Sequence, residues 1–148
     1  MTVLVVNGPN LNTLGTREPA VYGTTTLATI EGAVAEYAER LGMEVRFFQS
    51  NSEGAIIDYI QQHTDGLTGI IINPAGLTHT SVSLRDCLSA LSVPVVEVHI
   101  SNIYARERFR HRDLIAPVVK GQITGLGWRG YLLALDALAT EAHVGGGE

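Results

Sequence analysis

A single cysteine, Cys87, stands in the 148-residue chain, so no internal disulfide can form. With no helper residue beside it, Cys87 reads as a small apolar side chain on a helix face rather than a nucleophile. Lysine is as scarce: Lys120 is the only one. Its expected place in mid-strand, away from the polar loops, makes imine chemistry a poor fit. No apolar run approaches the length that spans a bilayer. The N-terminus enters a strand directly, without a basic region and a long apolar stretch, so no secretory signal is expected and a cytoplasmic location is the default. Neither G-x-G-x-x-G nor G-x-x-x-x-G-K-[ST] occurs, and Gly125 and Gly127 resemble neither phosphate loop. The absence of G-x-S-x-G disfavours an α/β-hydrolase. Without H-E-x-x-H or H-x-x-E-H, and with arginines close by, no metal is expected on Glu97, His79 and His99. Positive charge is in deficit, ten Lys+Arg against fifteen Asp+Glu for a net −5, which argues against a nucleic-acid partner.

What is present suits a globular protein. Hydrophobic residues make up 45% and charged residues 17%, enough for one domain over 1–148 with a substantial core. "TVLVV" (2–6), "MEVRFF" (43–48), "LTGIII" (67–72), "VPVVEV" (93–98) and "VVKGQI" (118–123) read as strands. Their near-continuous apolar character fits a sheet covered on both faces. Between them, Leu27, Ile30, Val34, Ala38 and Leu41 recur at helical spacing, with Gly42 as a stop. Ser50 and Glu53 fit a capping box ahead of Ile56, Ile57 and Ile60. A helix from near Thr80 buries Leu84, Cys87, Leu88 and Leu91, and another runs from Trp128 to about Ala139. The tail from about 141 is expected to fray. Alternating strands and helices predict a flavodoxin-like, doubly wound α/β domain with a five-stranded parallel sheet, and ligands beyond the carboxyl ends of its strands.

The polar residues gather at those ends. After the first strand, "NGPNLNTLGTREPAVYGTTT" is long for a connection in a compact domain. Asn7 and Asn10 around Gly8-Pro9 suit a tight turn as well as they suit a site. Tyr22 is either an aromatic plug or a base whose phenolate is favoured by Arg17 and the later arginines. After the third strand comes "NPAGLTHTS". Thr78, Thr80 and Ser81 read as helix caps. His79, at a helix entrance, reads as a ligand-facing residue. Asp86 shares its helical face or is a plain surface carboxylate.

"VPVVEVHISNIYARERFRHRD" (93–113) is the richest stretch. Glu97 and His99 alternate onto one side of a strand, where a carboxylate could orient and charge an imidazole for use as a general acid. A purely structural ion pair is the alternative. The amides of Ile100 and Ser101 emerge just beyond, where a carboxylate could bind. Arg106 and Arg110 would share a helical face, leaving Arg108 and Arg112 solvated. His111 and His63 also read as surface residues. A phospho-receiver would need clustered acidic residues at early strand ends, and a flavin carrier an earlier phosphate loop. A base, an acid and an anion receptor suit proton transfer on a hydroxylated carboxylate better.

Four of these stretches, "NGPNLNTLGTREPAVYG", "NPAGLTHTS", "VEVHISNIYARERFR" and "GQITGLGWRGYLLAL", resemble the type II 3-dehydroquinate dehydratases, in order, from about Val3 to Leu135. The resemblance implies a hydro-lyase converting 3-dehydroquinate to 3-dehydroshikimate, in the shikimate pathway or in quinate breakdown. It also implies no cofactor, no metal, and a dodecamer of four trimers. By motif, Tyr22 would be the base, favoured as tyrosinate by Arg17 and Arg106. Asn10 would stabilise the enolate through a positioned water. His99, backed by Glu97, would protonate the departing hydroxyl, which Asn73 helps to hold. Ile100 and Ser101 would receive the carboxylate, and Arg110 and His79 the ring hydroxyls. Asp86 would reach a neighbouring subunit's site. The chain departs from the family's common pattern in Asn-Pro-Ala-Gly at 73–76, at Arg108, and at Asp113, where Ser is common. The alternative, from the residues alone, is a non-catalytic flavodoxin-like module that binds a small carboxylate or phosphate.

Overall fold

Apolar strands set the architecture. The computed structural model describes residues 1–16, 19–22 and 24–146, the side chains of 21, 22 and 144–146 excepted. Five parallel strands, β1 (Thr2–Asn7), β2 (Glu44–Gln49), β3 (Gly69–Asn73), β4 (Val95–His99) and β5 (Gly121–Thr124), lie in the order β2-β1-β3-β4-β5. This is the flavodoxin-like arrangement expected from the sequence. β3 and β4 are buried throughout, whereas the edge strands β2 and β5 are partly exposed. Hence "GIIIN" is continuous in its apolar character and "EVRFFQ" is mixed.

Among the described residues, five α-helices complete the domain: α1 (Pro19–Tyr22), a single turn in the loop after β1, then α2 (Leu27–Arg40), α3 (Glu53–Gln62), α4 (Val82–Ser89) and α5 (Arg129–Gly146). Strand alternation divides the core in two. Val3, Val5, Ile71, Val96 and Val98 face Ile30 and Val34 of α2 and Tyr131, Leu135 and Leu138 of α5. Leu4, Val6, Ile70, Ile72 and Val95 face Ile56 and Ile60 of α3 and Leu84, Cys87 and Leu88 of α4. Each fully buried aliphatic side chain contributes roughly 1.5–3 kcal/mol, so both layers are needed. Cys87 is the core residue the sequence implies, and burial pushes its thiol pKa up.

Several boundaries differ from the sequence expectation. Ser52, not Ser50, caps α3: its hydroxyl accepts the Ala55 N–H at 3.2 Å. Ser50 instead accepts the Ser52 N–H, and Glu53 reaches across to accept from the Ser81 hydroxyl. The long-range contact to Ser81 wins over a local capping box. α4 begins at Val82 behind the Ser81 cap, because residues 75–79 form a separate 3₁₀ turn. Pro117 sits in another 3₁₀ turn, Ala116–Val118, which delays β5 to Gly121 and leaves Lys120 just before the strand. α5 continues to Gly146, past the expected fraying point. Leu138 and Ala139 are buried there, and Lys120 Nζ lies 3.5 Å from Glu141. No helix of the described residues is long and apolar enough to cross a membrane.

Tyr131 joins this scaffold to the strand ends. Its hydroxyl, fully buried, donates to Asn7 Oδ1 at 2.6 Å and accepts from Asn73 Nδ2 at 3.1 Å. Tyr131→Phe removes the hydroxyl partner of Asn7 Oδ1 and of Asn73 Nδ2. Chemical denaturation should show a loss of about 1–3 kcal/mol, with the dependence on denaturant unchanged.

Candidate functional site

The carboxyl ends of β1, β3 and β4 open onto a cavity of about 280 Å³. β1 and β3 lie where the strand order reverses, the place expected for a ligand. Each wall is built by a strand end. Gly8 brings the β1 loop against the β3 loop: its N–H donates to Asn73 O at 2.8 Å, and a Cβ there would fall 2.5 Å from Pro74 O. Asn10 follows in the left-handed region at φ 72°, its N–H held by Asn51 Oδ1 at 2.9 Å. Asn51 is a positioning residue that the sequence reading missed, since nothing local links the two positions.

From β3, Asn73 lines the cavity with its side chain already engaged. Oδ1 accepts the Ala75 N–H at 3.1 Å while Nδ2 donates to Tyr131. Ala75, in the altered Asn-Pro-Ala-Gly turn, takes a left-handed φ of 53°. His79 closes the 3₁₀ turn and lines the cavity. Its Nδ1 lies 2.9 Å from Arg112 O. A carbonyl can only accept, so Nδ1 carries the proton and a neutral His79 offers Nε2 as an acceptor. Arg112 thus serves through its backbone, with its side chain exposed as expected.

From β4 come Glu97 and His99, both buried, with His99 Nε2 2.5 Å from Glu97 Oε2. The predicted pairing is present, and it leaves Nδ1 as the ring nitrogen open to a ligand. Burial, followed by a hydrogen bond with Asp113, pushes the Glu97 pKa from 4.5 up to about 9. Burial brings His99 down from 6.5 to about 4, with Asp113 opposing that shift. The contact therefore rests as a protonated carboxyl beside a neutral imidazole, since desolvation disfavours charge on either. Burial works against the expected charging of His99 by Glu97. Glu97, His99 and Asp113 offer atoms within 4.8 Å of one another. The contact between Glu97 and His99 is nevertheless that of a shared proton, shorter than two ligands of one cation normally stand.

Ile100 and Ser101 line the cavity, and their amides have no hydrogen-bond partner among the described residues. Arg106 and Arg110 line it as well, while Arg108 is exposed, the partition predicted from sequence. The run forms two 3₁₀ turns, Ile103–Ala105 and Arg108–His111, rather than one helix. Arg110 Nε donates to Glu107 Oε1 at 3.0 Å, and Arg106 Nε lies 3.7 Å from the same oxygen. The Arg110 bond holds the Glu107 carboxyl below its ordinary pKa. Arg106 also donates to Ser101 Oγ at 3.3 Å. His111 is exposed, whereas His63 is half-buried and stacked on Tyr59 at 4.0 Å between ring centroids. Asp86 is exposed on α4 and does not line the cavity. Tyr22 closes α1, but its side chain, like Arg17, lies outside the described residues.

Known proteins share this sequence and this fold. The profile of the family described as "Dehydroquinase class II" matches residues 1–139. A protein of Endomicrobium trichonymphae named 3-dehydroquinate dehydratase is 62% identical over 138 residues, covering 93% of this chain and 96% of its own. One of Bacillus subtilis, with the same name, is 52% identical over 138 residues, 93% of each. Among solved structures, the type II dehydroquinase of Propionibacterium acnes superposes with a TM-score of 0.91 at 47% identity, covering 94% of this chain and 96% of the other.

The buried pair makes a prediction about stability. Above about pH 6.5 the unfolded chain has an ionised Glu97, whereas the fold retains the proton until about 9. The folded state then binds more protons, so Glu97's contribution falls as pH rises through that window. His99 acts with the opposite sign, but only between about 4 and 6.5. Denaturation measured from pH 6.5 to 9 should show declining stability, and Glu97→Gln should flatten the decline.

Proposed function

The chain belongs to the class II dehydroquinase family and is a hydro-lyase that dehydrates 3-dehydroquinate, and from that premise we propose that it works by a tyrosinate base and a histidine acid. Tyr22, as tyrosinate favoured by Arg17 and Arg106, removes a proton beside the ketone. Asn10 stabilises the resulting enolate through a positioned water. As the enolate collapses the C–O bond breaks, and His99 delivers the proton with which the hydroxyl leaves as water. A carbon so weakly acidic needs a base stronger than a carboxylate but available near neutral pH, which guanidinium neighbours make of a phenol.

The observation that carries this reading is the oriented imidazole: His99 faces the cavity with Nε2 held by Glu97. Supporting it, the cavity offers an anion seat at the Ile100 and Ser101 amides and at Arg106 and Arg110. Asn73 holds the departing hydroxyl. Arg110 and His79 take ring hydroxyls, His79 through the acceptor nitrogen that its Arg112 contact leaves open. In a dodecamer of four trimers, exposed Asp86 would complete a neighbouring site. The enzyme names of the relatives favour catalysis over the non-catalytic carboxylate-binding module.

The test is direct. Purified protein mixed with 3-dehydroquinate should generate the ultraviolet absorbance of a conjugated enone. Tyr22→Phe should lower kcat by roughly 10²–10⁴ while substrate binding persists. Borohydride with substrate should leave activity intact. Substrate-dependent inactivation by borohydride would mean an imine at Lys120 and would end the tyrosinate mechanism.

A further inference from the structure

Asp113 lies behind His99 and takes no part in the proton transfers of the dehydration. Its side chain is 4% exposed, and Oδ2 stands 3.9 Å from His99 Nε2. Three N–H groups converge on its carboxylate. Ile115 and Ala116 donate to Oδ1 at 2.8 and 2.9 Å, and Gln122 Nε2 donates to Oδ2. Gln122 is itself oriented, because its Oε1 accepts from the Tyr104 hydroxyl at 3.3 Å. Three N–H donors on one carboxylate complement its negative charge.

Glu97 is built the other way. As a carboxylate it would strand Oε1, which is buried without a hydrogen-bond partner among the described residues. As a carboxylic acid it has one O–H to donate, with His99 Nε2 and the Asp113 carboxylate as the two acceptors within reach. The field of Asp113 has one sign for both partners, raising the proton affinity of Glu97 and of His99. His79, from the β3 side, opposes it at His99. The cations Arg106 and Arg110 line the same cavity with their guanidinium groups against Glu107.

We propose that Asp113 is a positioning residue for the dehydration, a fixed buried anion that keeps a proton on the Glu97/His99 pair so that the acid stays loaded into the alkaline range. The inference rests on His99 being that acid. When His99 protonates the departing hydroxyl, the C–O bond breaks, water leaves, and the pair is one proton short beside an ionised carboxylate. Asp113 disfavours that unloaded state and so draws a proton back from solvent or from Tyr22.

The test compares kcat against pH for the wild type, Asp113→Asn and Asp113→Ser. Serine retains an oxygen for the Ile115 and Ala116 N–H groups but carries no charge. Both variants should move the alkaline limb to lower pH by about one unit, so that the loss grows to about tenfold on the alkaline side. His99 imidazole NMR, followed against pH in ligand-free protein, should shift in the same direction. A limb that stays in place in a folded variant, or a uniform drop at all pH values, overturns the proposal. His99→Asn separates the two ideas. If it retains full turnover, the acid assignment itself falls; if it abolishes turnover while the Asp113 variants leave the limb in place, only the role of Asp113 falls.

Discussion

An imidazole and a carboxyl meeting at 2.5 Å under the end of a buried strand are the constraint on which this site depends. Either group alone and ionised would carry a desolvation penalty of several kcal/mol. One shared proton lets both be buried at modest cost. The arrangement follows from the backbone: side chains two apart share a side of β4, and pairing on both edges fixes its register. That register sets Glu97 beside Ile72 on one edge and Gln122 on the other. Sheet pairing thus brings to Glu97 the amide that fastens Asp113, although residues 97 and 122 are far apart in sequence.

The cavity holds its cations apart from this pair. Arg106 and Arg110 turn toward Glu107, which is half exposed and fixes their direction more than it adds stability. The Arg106 and Arg110 side chains are only 13% and 18% exposed, so the Glu107 carboxylate offsets part of the cost of holding them beside the cavity. The contact between Glu97 and His99 lies in the dry part of the site, where small movements of a proton change the charge distribution most.

What the sequence made legible was governed by local period. Apolar runs and helical spacing gave all five strands, the four longer helices and the parallel architecture. Spacing by two gave the contact between Glu97 and His99, and spacing by four separated Arg106 and Arg110 from Arg108. What escaped depends on tertiary contact. Ser50 has the capping-box spacing to Glu53, but Glu53 is taken by Ser81 and Ser52 caps α3 instead. The charge state of Glu97 and His99 was also hidden, because burial, not the identity of the neighbour, sets it. Asp113 stood out only as a departure from a common Ser, because the contact with Gln122 depends on the placement of β5. Asn51 could not be linked to Asn10 across 41 residues of sequence.

Two strained residues show how the site is held in shape. Asn10 and Ala75 both adopt left-handed backbone, and both line the cavity. Asparagine tolerates that region, whereas alanine in it costs about 1 kcal/mol or more. At Ala75 the strain is retained because its N–H meets Asn73 Oδ1, and the same amide gives Nδ2 to Tyr131. Were the turn to relax, Asn73 would lose the acceptor bond that fixes its plane, and its remaining N–H would no longer be aimed. Tyr131, in turn, is packed against β4 and α2 through the core. The direction of one amide hydrogen at the mouth of the site is therefore tied to the apolar packing of α5.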